Sequence, residues 1–411
     1  MDKELDIGFL TGLFPREAEG EIYEKSKGNV QSAANALQWN LVEGLDLNGQ
    51  RPVKIFNSVY VGAYPWRYRD LFLKTYPFQH HPGAEDINAG FLNLLVYKHI
   101  SKYRSLKPHL EAWALDGRDH KVLIGYALSL EFVACLSYIK RVNPNVRTCI
   151  VVPDLPEFMN TSEVQSFSYR VLKPMETAYI YKRLDQIDCF VLLTDAMKDF
   201  LQIKGEYVVV EGIATDSFVK THGRKNPNHR TFLYTGTLDK RFGIMQLIEA
   251  FQRIPQPDYR LVLCGAGDAE ERIREAMKID ARIDFKGLLK REEILRLQQE
   301  ATVLVNPRQN REEFTKYSFP SKIMEYLSSG TPVIAYKLDG MPAEYDDHIY
   351  YVQDDDVDTL RDRMVQIGEK DQSELDRFGE KARDFVLQRK NKKEQTRKII
   401  KLLQDCEGSG G

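Results

Sequence analysis

Ser321, Lys322 and Glu325 place a hydroxyl, a cation and a carboxylate in close succession within FPSKIMEYLSSGTPVIA, the stretch from Phe319 to Ala335. Pro320 suits a helix start, and Ser321 can cap or open the first turn. Ile323, Met324, Tyr326 and Leu327 supply apolar surface. Gly330 suits a left-handed helix end, and Pro332 prevents the helix from resuming. Val333, Ile334 and Ala335 read as a buried parallel strand. The first turn of a helix offers free amide N–H groups, so it is a natural place for an anion. Lys322 opposes the helix dipole there and calls for an anion of its own. Glu325, one turn further in, is either a solvated helix acid or a holder of ligand hydroxyls.

Two other loops carry residues of matching chemistry. YTGTLDKRFG offers Thr235, Gly236 and Thr237 for close backbone approach, with Lys240 and Arg241 as charge beside them. CGAGD brings Gly265 to the end of another apolar run. Cations and amides would hold a diphosphate and a carboxylate would accept hydrogen bonds from ribose hydroxyls, so the set suits a sugar nucleotide. No G-x-x-x-x-G-K-[ST] loop occurs, and no G-x-G-x-x-G follows the first strand, which argues against a P-loop enzyme and a dinucleotide oxidoreductase. His80 and His81 stand together in a Gly/Pro-rich stretch. Nothing completes a metal site around them, and a surface loop is expected.

The elements that must position these groups alternate. Apolar strand runs and helix-periodic segments follow one another from Ile7 to Ile213 and again from Thr231 to Ala335, the pattern of doubly wound parallel sheets. The chain has 411 residues, more than the roughly 250–300 at which single cores stop growing. Two domains are therefore expected: 1–220, and 221–385 after a polar linker at 217–230, with a helix at 386–405 and a flexible tail at 406–411. Hydrophobic residues make up 43% and charged residues 29%, with a net charge of −2, so no basic surplus points to nucleic acid. The five cysteines are scattered without ligand spacing and read as reduced core residues of a cytoplasmic protein.

The stretch FLNLLVYKHISKYRSLKP holds Lys98, Lys102, Arg104 and Lys107 and no acid. Its apolar residues Phe91, Leu92, Leu95, Val96, Ile100 and Tyr103 would share one helix face. A core-facing helix with a solvated side is the preferred reading; a helix lying on an anionic membrane is the other.

Taken together, TGTLDKRFGIMQLIEAF, CGAGD, FPSKIMEYLSSGTPVIA and CFVLLTDAMKDFL followed by YVVVEGIATDSF resemble the retaining family-4 glycosyltransferases of the GT-B fold. The resemblance covers most of the chain and is stronger in the second half. It implies two Rossmann-like domains facing across a cleft, with a C-terminal helix crossing back to the first. It implies transfer of a sugar from a nucleotide-sugar, UDP-linked rather than GDP-linked, to a saccharide acceptor on a lipid carrier. Neither cofactor nor metal is implied. The YSFPSK variant resembles bacterial enzymes of capsule and surface-polysaccharide assembly, acting in the cytoplasm or at the inner face of the membrane.

The family's E-x7-E motif puts its second acid on Glu325, the expected ribose holder. Its first acid falls on Tyr317, and Glu312 or Glu313 in the lengthened loop would have to reach the donor sugar instead. The family's Arg/Lys pair falls on Thr237 and Phe242, so Arg241 and Lys322 are the candidate cations for the diphosphate. Gly12 would approach the phosphates, and Ser321 and Gly236 would line the donor. VVPDLPEF places Pro153 where the family has His and keeps Asp154, either a catalytic or acceptor-contacting acid or a turn cap. These departures leave an inactive scaffold or partner subunit of the same fold as one rival; another use of the same double sheet, a nucleotide-sugar epimerase or a glycogen-type phosphorylase, is the other.

Overall fold

The computed structural model describes residues 4–28, 30–158, 167–215 and 225–406. Two compact units emerge, 1–211 together with 392–411, and 212–391. The expected division at 220/221 lies outside the described residues, as do most of the linker and the tail from 407 onward.

The first unit is built on β1 (Asp6–Thr11), β2 (Lys54–Asn57), β3 (Tyr76–Phe78), β4 (Asp86–Asn88), β5 (Lys121–Tyr126), β6 (Arg147–Val152), β7 (Cys189–Leu192) and β8 (Glu206–Val209). They lie in the order β3-β4-β2-β1-β5-β6-β7-β8, and only the β3/β4 pair is antiparallel. The second unit holds β9 (Arg230–Thr235), β10 (Tyr259–Cys264), β11 (Ile283–Gly287), β12 (Val303–Asn306), β13 (Val333–Tyr336) and β14 (Tyr350–Val352). Its order is β11-β10-β9-β12-β13-β14, parallel throughout. VLVN and VIAY are buried at every position because helices cover both faces of the sheet. The helix Ile244–Gln252 buries Ile244, Leu247, Ile248 and Phe251 on the stripe that packs against one face. Both units are thus Rossmann-like α/β sheets, and each reverses its strand order beside its first strand, where such folds bind ligands.

The last helix, Lys392–Asp405, belongs to the first unit and packs along the helix Ser32–Asn48. Lys392 pairs with Glu43 at 2.7 Å, and Asn48 Nδ2 donates to Lys393 O at 2.7 Å and Thr396 Oγ1 at 2.8 Å. A Cβ at Gly44 would overlap Thr396 and Lys392, so glycine sets how closely the two helices meet.

Three expectations are corrected. The helix read from Phe91 begins at Tyr97 and runs through Pro108 to Ala114. Before it the chain is extended, bridging Tyr64 to Leu94 and Phe72 to Leu92. Its apolar residues do not all face inward: Phe91 and Lys102 are buried, whereas Leu95, Val96, Tyr97 and Ile100 are exposed. The Lys102 ammonium is satisfied internally by the Ser58 and Val59 carbonyls at 3.0 and 2.8 Å, which lets a lysine occupy the inward position.

His80 is the third correction. It is not a surface-loop residue: its side chain is 3% exposed, with Nδ1 at 2.6 Å from Asp86 and Nε2 at 3.0 Å from Asp46. Burial pulls its pKa down, but the hydrogen bonds to Asp46 and Asp86 outweigh that and hold it at about 9. A folded-state pKa raised above the ordinary value contributes stability that is whole below about pH 6.5 and is lost as pH rises through about 9. His80→Gln is therefore expected to destabilise the protein by about 3 kcal/mol at pH 6. Urea denaturation should show the gap between variant and wild type closing by pH 10.

Candidate functional site

The strand order of the second unit turns back between β9 and β12. Beyond their carboxyl ends come Gly236–Thr237 and Pro307–Arg308, flanked by Gly265 after β10 and by the helix Ser321–Ser328. Gly236 and Gly265 adopt φ of +139° and +137°, a backbone open to glycine and strained for other residues. A Cβ on Gly265 would strike the Gly236 carbonyl, and one on Gly236 would overlap the Lys322 ammonium. The first two loops are thereby pressed together, with Lys322 Nζ lying on the Gly236 backbone.

Tyr326 and Gln298 tie the helix to the sheet. The buried Tyr326 hydroxyl accepts from Thr235 N at 2.8 Å and lies 3.2 Å from Thr235 O. The Gln298 side-chain amide, also buried, donates to Thr235 Oγ1 at 3.0 Å and to Glu325 Oε1 at 2.7 Å. Glu325 is thereby aimed from two sides, with Arg291 3.4 Å from its other oxygen, and its side chain stays 29% exposed. A carboxylate has about four lone-pair directions, so acceptor capacity remains for a ligand.

The cations differ in their surroundings. Lys322 has no hydrogen bond or ion pair among the described residues; it faces the Tyr234 ring at 5.8 Å, and burial lowers its pKa although Glu325 opposes this. Arg241 is engaged: its guanidinium forks onto Asp239, with Nε to Oδ1 at 3.0 Å and the terminal nitrogen to Oδ2 at 2.5 Å. Thr237 is exposed, and its carbonyl accepts from Tyr234 Oη at 2.7 Å. Ser321 opens the helix, exposed, without a side-chain cap bond.

The lengthened loop ends in a short 3-10 turn, Glu313–Tyr317. Glu312 and Glu313 are exposed, Glu312 acting electrostatically on Arg241, and Tyr317 is half-buried. Gln298 and Arg308 are the groups at this strand reversal that motif spacing did not single out. The only signal for Arg308 was a cation two residues after the apolar run VLVN. Its guanidinium lies over Phe314 at 4.8 Å and Phe242 at 5.4 Å and donates to Ser318 Oγ at 3.1 Å.

In the first unit Gly12 follows β1, where its N–H donates to Gln38 Oε1 at 3.1 Å and its carbonyl accepts from Tyr60 N. The Tyr60 ring covers it so closely that a Cβ would clash. Asp154 follows β6; its side chain is open to solvent, yet enough protein surrounds it to raise the carboxyl to about 6.

Residues 217–385 match the family model for Glycosyl transferases group 1. No curated protein matches the chain. Among solved structures, a sucrose-phosphate synthase from Thermosynechococcus elongatus aligns at 18% identity and a TM-score of 0.63, covering 98% of this chain and 100% of that one. HepE of Anabaena, solved in complex with UDP, aligns at 13% identity and 0.62, over 98% and 100%. An α,α-trehalose 6-phosphate synthase from Burkholderia multivorans aligns at 12% and 0.63, over 99% and 98%. These likenesses establish the double Rossmann-like fold of GT-B proteins.

Replacing Gly236 by Ala is expected to cost about 2 kcal/mol, because the new methyl meets Lys322 and the backbone is in a glycine region. Chemical denaturation of Gly236→Ala against wild type measures it.

Proposed function

We propose that the chain is a glycosyltransferase that moves a sugar from a nucleotide-sugar to a saccharide acceptor. The observation that carries this reading is the pairing, at the strand reversal of the second unit, of an unneutralised Lys322 on the Gly236 backbone with a Glu325 aimed by Gln298. The family model over residues 217–385 supports it. Lys322 would neutralise the leaving diphosphate and Glu325 would hold the ribose, with Gly236, Thr237, Gly265 and Ser321 lining the donor. Charge neutralisation by side chains would make a metal unnecessary. The UDP in HepE supports a UDP-sugar as donor. The first unit would take the acceptor, with Asp154 beside it and Gly12 approaching the donor phosphates, both at the carboxyl ends of its strands. Retention of anomeric configuration and a role in surface-polysaccharide assembly complete the proposal.

Arg241 closed onto Asp239, with Tyr317, Thr237 and Phe242 at motif positions, favours a second reading: a partner subunit that binds the donor without turning it over.

The test is thermal shift with a panel of nucleoside diphosphates and nucleotide-sugars. A ligand of the native state raises the melting temperature with concentration. One nucleotide should do so, and Glu325→Ala should abolish the shift; no shift with any of them would remove both readings.

The acceptor is proposed to be lipid-linked, and the protein to meet an anionic membrane through its first unit. No described helix is long and apolar enough to cross a membrane. Instead, Trp66 and Phe72 are 73% and 68% exposed. The bridges Tyr64–Leu94 and Phe72–Leu92 set their loop beside the exposed Leu95, Val96 and Ile100. Arg67, Arg69 and Arg104 are also exposed there, a combination suited to an anionic lipid surface. Sedimentation with phosphatidylglycerol vesicles should exceed that with phosphatidylcholine, and Trp66→Ser with Phe72→Ser should abolish the excess.

A further inference from the structure

Arg308 is the less expected of the two under-compensated cations at the end of the β9/β12 pair. It lies two residues beyond the end of β12, a strand whose register places Leu304 opposite Leu233 of β9. Among the described residues it meets no carboxylate. Its Nε is buried without a hydrogen-bond partner, and one terminal nitrogen reaches only the Ser318 hydroxyl. Burial lowers its pKa, and it acts electrostatically on Tyr234, the residue whose ring Lys322 also faces. A charge taken out of water without a counter-ion is unfavourable unless a ligand supplies one. Lys322 lies on Gly236 in the loop after β9, and Arg308 lies over Phe242 of that same loop, so the two charges border one loop and suit an anion of at least two negative charges.

The aromatic neighbours bear on how that anion would be held. A phenyl ring has no lone pair, so Phe242 and Phe314 hold the guanidinium without taking up its N–H edges. Those edges can grip two oxygens of a phosphate at once. Phe242 stands at a position where the family resemblance calls for a basic residue, and Thr237 at the other. A cation nevertheless stands at this point, because Arg308 in the loop after the neighbouring strand lies over the Phe242 ring. We propose that Arg308, seated on Phe242 and Phe314, forms with Lys322 the diphosphate clamp of the donor site. The assignment rests on the transferase reading for the identity of the ligand, and on the two cations for the presence of an anion site.

Isothermal titration calorimetry with inorganic pyrophosphate, UDP, GDP and uridine separates the two. Wild type is expected to bind pyrophosphate and one nucleoside diphosphate. Arg308→Gln should weaken both by about tenfold or more and leave uridine unchanged. Arg308→Lys, which keeps the charge and loses the planar fork, should fall between. Adding Phe242→Lys to Arg308→Gln should restore part of the pyrophosphate affinity, which a purely structural role for Arg308 would not allow. Melting curves establish that each variant is folded; if Arg308→Gln is not, Arg308→Lys and the double variant decide the matter. A wild type that binds UDP or GDP beside an Arg308→Gln of equal affinity overturns the clamp and leaves the transferase reading standing. Arg308-dependent binding of pyrophosphate without any nucleoside diphosphate upholds the clamp and overturns the transferase reading. A wild type that binds neither overturns both.

Discussion

The second unit is organised around a contact that only glycine permits. Gly236 has no side chain, and the space is filled by the Lys322 ammonium, while the Gly236 backbone in turn fills the space a side chain on Gly265 would need. That single close approach sets the distance between the loop after β9, the loop after β10 and the helix Ser321–Ser328. Tyr326 and Gln298 then act as struts: both reach Thr235, the last residue of β9, and so fix the helix that carries Lys322 and Glu325. The internal hydrogen bonds of the unit hold this geometry before any ligand arrives, which reduces the ordering that binding requires.

Local chemistry was the legible part of the sequence. Pro320, Gly330 and Pro332 bound the helix and strand where the structure has them, with Gly330 at φ +77°. The alternation of apolar runs and helix-periodic segments announced two parallel sheets, because fully buried strands read as continuous apolar runs. What could not be read were relations between residues distant in the chain. His80 looked like a loop residue because Asp46, one of its two partners, comes from the end of a preceding helix. Lys102 looked solvated because the carbonyls that satisfy it belong to the segment after β2. Gln298 and Arg308 lie outside any motif, and their positions follow from strand order rather than local spacing.

The same distinction bears on Phe242, which carries no charge of its own. In three dimensions Phe242 lies under a guanidinium from the adjacent strand. A charge can be supplied from any strand end that borders the same point, so parallel sheets tolerate exchange of a function between loops more readily than exchange of its location.

The return of the last helix to the first unit carries a consequence for how the protein is made. Residues 212–391 form an uninterrupted stretch, so the second unit has all its strands as soon as that stretch has left the ribosome. The first unit does not: Asn48 waits for Thr396, a separation of 348 residues. Its sheet is synthesised first, yet the helix face carrying Gly44 and Asn48 stays uncovered until Lys392 and Thr396 have been made. Contacts of such high sequence separation form late. The nascent first unit is therefore the part whose uncovered surface chaperones would meet while residues 212–391 are being made.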